Sequence, residues 1–163
     1  YPDPGVTTWS LKTLIAQPLT IPNNKTILVF VPASLNIQQN ITVDPVTAAN
    51  SGLMFILKAG SNSNPDLAGN LYIDRPVIRL DGVYVFPGIL NDTYSLTGST
   101  SIQLTGYGSL IGISNSTLGL NRTYNNVSLT APAEMWHYQP KYLKMYQNFL
   151  SGPRFSWKEL PPQ

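Results

Sequence analysis

Apolar residues in this chain recur mainly at every second position, the period of a strand that buries one face. Trp9, Leu11, Thr13 and Ile15 alternate with Thr8, Ser10, Lys12 and Leu14 between Pro4 and Pro18, which predicts an N-terminal strand. Residues 26–31 hold the run Ile27-Leu28-Val29-Phe30, the pattern of a short strand buried on both faces. Next, Leu35, Ile37, Ile41 and Val43 oppose Asn36, Gln38, Asn40 and Thr42, with Gln39 as the exception. That predicts one half-buried strand with Asn40 on its wet side. A third apolar run covers 53–57, and residues 59–70 read as a loop of Gly, Ser, Asn, Pro and Asp. Val77-Ile78-Arg79-Leu80 and Val83-Tyr84-Val85-Phe86 flank Asp81-Gly82, which predicts a hairpin, because a type I′ turn needs positive φ at both central residues. Further strands are expected at 93–97, 101–105, 109–113 and 124–130. No convincing internal repeat emerges, although the Gly-punctuated stretch 98–120 is compatible with one turn of a solenoid.

The texture changes after Pro132. Residues 133–163 carry seven of the 17 aromatics, and Tyr142, Met145, Tyr146 and Phe149 fall at i, i+3, i+4 and i+7 behind Pro140. This spacing predicts a short amphipathic helix ended by Ser151-Gly152-Pro153. The expected fold is all-β, a β-sandwich or jelly roll with that helix in a C-terminal arm. Residues 1–22 form the N-terminal strand, 23–132 the core and 133–163 the arm.

Composition narrows the chemistry. Among 163 residues only 11% are charged, less than half the usual ~25%. Their place is taken by 14 each of Asn, Ser and Thr, and the two Glu residues (Glu134 and Glu159) argue against a helical surface. Net charge is +2, and residues 1–132 balance six cations against six Asp, so no basic stripe exists for nucleic acid. No run reaches the length of a membrane-spanning helix. With no Cys and a single His137, disulfides, thiolate chemistry and any site needing two imidazoles are excluded.

Catalysis has little to work with. Asp74 and Asp81 are the one carboxyl pair that a sheet could bring together, but the turn explains Asp81 and a neighbouring Arg75 or Arg79 explains Asp74. No Ser lies in a nucleophile elbow. The loop around Asn62, Asn64 and Asp66 lacks the alternating carboxylates of a Ca²⁺ site and reads as solvated. The expectation is no enzyme, no catalytic or metal residue and no cofactor. Tyr72, Tyr84, Tyr94, Tyr107 and Tyr124 lie in or near strands, where an exposed ring can stack on a sugar, though Tyr favours strands on structural grounds alone.

Asn-x-Ser/Thr occurs at Asn24, Asn40, Asn91, Asn115, Asn121 and Asn126, six against about 2.4 expected from composition. The excess points to secretion and to N-glycans at these positions. A first residue of Tyr1 fits either removal of a leader or a late start.

In its layout (Cys-free, rich in Asn, Thr and Ser, with multiple sequons, strand-dominated, and an N-terminal strand set off by prolines) the chain resembles subunits of extracellular filaments from archaea and some bacteria. The resemblance implies a β-sandwich completed by a terminal strand from its neighbour. Type IV pilin-like and archaeal flagellin-like subunits differ in having an apolar N-terminal helix. The expected function is a secreted structural subunit of a filament or surface assembly. Its partners are copies of itself, contacted through Trp9, Leu11, Ile15, Trp136, Tyr142, Tyr146 and Phe149. A carbohydrate-binding module or adhesin with glycan partners is the alternative from another class, and a viral jelly-roll capsid or fibre protein a variant of the first.

Overall fold

The computed structural model describes residues 13–44, 50–60, 64–93, 103–122 and 132–147. Within them the protein is mostly strand: β1 (Thr13–Ile15), β2 (Leu19–Ile21), β3 (Thr26–Val31), β4 (Leu35–Ile37), β5 (Ile41–Val43), β6 (Gly52–Leu57), β7 (Leu71–Ile73), β8 (Arg79–Phe86), β9 (Ile89–Asn91), β10 (Leu104–Gly112), β11 (Thr117–Gly119) and β12 (Glu134–His137). One helix, α1 (Lys141–Met145), and a 3-10 turn at Pro65–Leu67 complete it.

Every strand pair among the described residues is parallel. One sheet stacks β1-β4-β7-β9-β11 and the other β12-β10-β8-β5-β2, with β6 joining β3 to β8. Strands adjacent in sequence therefore lie in successive walls of a coil, and each pairs with the strand one turn away. This is a β-solenoid, and the jelly roll expected from the sequence is corrected: a jelly roll is built from antiparallel pairs. The all-β class stands.

Its core runs along the coil as columns of inward side chains. In the first sheet Leu35, Leu71 and Leu90 are in register and sealed from solvent, with Thr13 before them and Leu118 after. In the second, Leu19, Ile41, Leu80, Gly106 and Trp136 form the matching column. Here the missing side chain of Gly106 leaves room for the Trp136 indole, which a Cβ at Gly106 would strike. Phe55 stacks on Tyr84 with ring centroids 5.5 Å apart.

Asp81-Gly82 makes no hairpin. Both lie inside the continuous strand β8, at the point where it bends from the wall shared with β5 into the wall shared with β6. The Asp81 carboxylate is buried and accepts from Val43 N at 2.8 Å and from the Arg79 guanidinium at 2.8–3.1 Å, and Tyr84 Oη donates to its carbonyl at 2.8 Å. Likewise the two strands expected at 101–105 and 109–113 are one, β10.

The single strand expected over 35–43 is in fact β4 and β5 with a corner between them. Asn40 sits at that corner rather than on a wet strand face, and its Oδ1 accepts from Ile78 N (2.9 Å) and Arg79 N (3.1 Å). Asn70 does similar work, accepting from Ile89 N and donating to Pro65 O and Tyr72 Oη. Side-chain amides thus supply the backbone partners that bent strands forgo.

The predicted helix exists over a shorter span. Its face packs on the outer side of β6 and β8, where Tyr142, Tyr146, Met54, Val83 and Val85 form a second apolar cluster flanked by Met145. Tyr146 Oη donates to Ile27 O at 3.0 Å, and Lys141 Nζ to Ser51 O at 2.7 Å. Burial lowers the affinity of Lys141 for its proton and raises the phenol pKa values of Tyr142 and Tyr146.

Candidate functional site

At the end of the coil reached last by the chain, β11 pairs with β9 on one side only among the described residues. Leu118 continues the inward leucine column yet is 58% exposed, whereas Leu90 beneath it is fully buried. Leu120, two residues on, and Ile113, just after β10, are also exposed. At the opposite end, β1 pairs only with β4 among the described residues. Unpaired edges of this kind can recruit a further strand.

The chain leaving β11 is then fixed by a charged cluster. Asn121 N donates to Asp92 Oδ1 and Arg122 N to Glu134 Oε1, both at 2.8 Å, so two consecutive amides are each held by a carboxyl group. The buried guanidinium of Arg122 donates to the carbonyls of Asp74, Arg75, Val77 and Asp92 at 2.6–3.2 Å. Arg122 Nε lies 3.7 Å from Asp92 Oδ2. In this way one side chain ties the third, fourth and fifth turns together, the role a disulfide fills elsewhere. Burial lowers the Arg122 pKa, against the opposing pull of Asp92 and Glu134. That of Glu134 is raised, first by desolvation and then by the neighbouring Asp92 carboxyl. Nothing in the sequence pattern pointed to this cluster, and its only signal is that charged residues are so few. Asp74, expected beside Arg75 or Arg79, lends its carbonyl to Arg122, while Arg79 pairs with Asp81.

A second polar array crosses the outer side of the second sheet. Arg79 lies over the Tyr107 ring, 5.1 Å from its centroid, and Tyr107 stacks on His137 at 4.7 Å. Arg79 is on β8 and His137 on β12, to either side of β10, so the faces of Tyr107 are occupied within the chain and are not offered to a sugar. Tyr84 is buried, and Tyr72 is half-buried beside Asn70. Tyr94 and Tyr124 lie outside the described residues.

The other expected site residues separate in space. Ile15 and Trp136 pack against the chain's own core, and Tyr142 and Tyr146 are buried against its own sheet. Trp9, Leu11 and Phe149 lie outside the described residues. Of the sequons, Asn24, Asn115 and Asn121 are exposed and Asn126 is outside the described residues. Asn91 Oδ1 accepts from Thr93 N and Oγ1 at 3.0 and 3.3 Å, and Asn40 holds the corner. Among the described residues no group of three or more His, Asp or Glu side chains is placed to bind a metal, and no helix is long and apolar enough to cross a membrane.

No protein-family model matches the chain, and no curated protein or solved structure shows significant similarity to it.

Proposed function

We propose that this chain is a structural β-solenoid subunit of an extracellular assembly, in which copies stack end to end. One observation carries the reading: Leu118 belongs to the inward column but is 58% exposed on β11, whose far edge has no partner among the described residues. The opposite edge, β1, has Thr13 and Ile15 at inward positions, so a second copy laid on β11 continues the same alternation. Such a contact joins two different surfaces and does not close on itself, which builds fibres. The strand-donation scheme implied by the family resemblance is revised accordingly. Residues 13–15 and 19–21 pair within their own chain and we read them as an edge to be extended, while residues 1–12 of the strand expected to be donated lie outside the described residues. The sequon excess favours an extracellular, glycan-bearing surface, and the Arg122 cluster supplies the staple that a secreted chain without cysteine needs.

Sedimentation velocity and negative-stain microscopy over a concentration series test this. The parent should polymerise and Leu118→Lys should remain monomeric, because a buried lysine has no partner in the stack. Leu143→Lys, on the exposed side of α1, should polymerise like the parent. A parent that is monomeric at every concentration, or a Leu118→Lys variant that assembles normally, contradicts the proposal.

A further inference from the structure

The two carboxyl groups that hold the final turn have a property that simple capping does not require. Asp92 Oδ1 takes the Asn121 amide and Glu134 Oε1 the Arg122 amide. The other Asp92 oxygen, Oδ2, is buried without a hydrogen-bond donor among the described residues, and Arg122 Nε lies 3.7 Å from it. The Glu134 carboxyl, which holds the very next amide, is the neighbouring group among the described residues that can donate to that oxygen, and it can do so only when it carries a proton. Among the described residues the charged group facing the pair is Arg122, engaged with four backbone carbonyls, with Arg75 and Asp74 next to Arg122 in turn.

We infer that Asp92 and Glu134 form a proton-dependent clasp on the last turn of the solenoid, closed in mild acid and loosened as pH rises. With one proton between them, the pair is a hydrogen-bonded acid and carboxylate, and both amides leaving β11 are pinned. When Glu134 ionises, two like charges face each other across a half-buried gap and Asp92 Oδ2 loses its donor. Arg122 offsets one of those charges, not both.

The sign follows from burial and pairing. Glu134 holds its proton more tightly in the folded chain than in the unfolded one. Its stabilising contribution is therefore complete below the ordinary Glu range and is lost as pH rises through the higher folded value. Because the pinned segment follows directly on β11, the clasp controls the order of the edge proposed for stacking. Polymers should form more readily in mild acid and thin out toward neutrality. That consequence rests on the end-to-end reading, while the clasp itself does not.

Amide hydrogen exchange of the peptide spanning 117–122, measured on the monomer fraction at several pH values and corrected for intrinsic rates, tests the clasp. Protection should fall at least tenfold between mild acid and neutral pH in the parent. In Glu134→Gln, which keeps the acceptor for Arg122 N and always carries a donor for Asp92, it should stay level. Circular dichroism checks that the variant is folded, and Asp92→Asn supplies a second neutral partner whose protection should also stay level. Equal pH dependence in the parent and in both folded variants overturns the clasp. A pH-dependent monomer that never polymerises overturns only the assembly reading.

Discussion

Gly108 lies in register against Gly82 across the β8–β10 ladder, and the backbone of each takes a positive φ, 153° and 118°. A Cβ at Gly108 would strike the Gly82 carbonyl, and one at Gly82 would sit 2.8 Å from Leu53 O. The two glycines let adjacent turns bend at the same corner without separating. Gly108→Ala should therefore cost about 2–5 kcal/mol, the sum of backbone strain and overpacking, read as a lower midpoint in urea. Wild-type stability in that variant would falsify the corner assignment.

Tyr146 fixes the helix to the coil. Tyr146→Ala should destabilise by about 3–5 kcal/mol, as for other large-to-small core changes, and Tyr146→Phe by about 1 kcal/mol through loss of the bond to Ile27 O. Thermal melts of the pair separate packing from hydrogen bonding. Equal losses in both would show that the ring contributes little.

High pH should attack the same region. Burial raises the phenol pKa values of Tyr84, Tyr142 and Tyr146, so ionisation is favoured in the unfolded chain. Their contribution is intact below the ordinary tyrosine value of about 10 and falls as pH rises beyond it. Tyrosinate absorbance should show these three titrating together with unfolding, and Tyr146→Phe should flatten the fall.

Removing Arg122 tests the internal staple. Arg122→Met leaves Asp92 buried beside a neutral side chain and removes the guanidinium bonds to four carbonyls, of which Asp74 O keeps Val77 N, so a loss of about 3–5 kcal/mol is expected in denaturant titration. A loss below about 1 kcal/mol would mean that the turns are held chiefly by their apolar columns.

Glycan occupancy should follow side-chain engagement. Asn24, Asn115 and Asn121 are exposed, whereas Asn40 is committed to two backbone amides. Peptide mapping of natively produced protein should find sugar at the first three and none at Asn40. A mass of 17.9 kDa for that material would remove the glycoprotein reading altogether.

Strands β3 and β6 were legible as short apolar runs, and the buried face of α1 from its helical spacing. However, β3 is not buried on both faces as expected, since Phe30 is 68% exposed. Strand direction was not legible. Inward–outward alternation is the same in parallel and antiparallel sheets, so Leu35 and Ile37 face the core in either. Asp81-Gly82 misled for a related reason: the residue pair that permits a tight turn also permits a corner, and only the neighbouring turn decides between them. First-sheet strands begin at residues 13, 35, 71, 89 and 117, so successive turns take 22, 36, 18 and 28 residues. No constant repeat survives that spread. The Arg122 cluster joins residues up to 48 positions apart, beyond the reach of any local pattern.

Because each described strand pairs with those one turn away, the coil behaves as a short linear chain of coupled units rather than as one all-or-none core. Its ends bear unequal loads. The first turn is held by strand pairing and apolar packing, while the last also carries Arg122 and its carboxylates. Pulled along its axis, such a body should yield turn by turn from the end beginning at β1, so that an extended polymer of it would give way in small steps instead of rupturing at once.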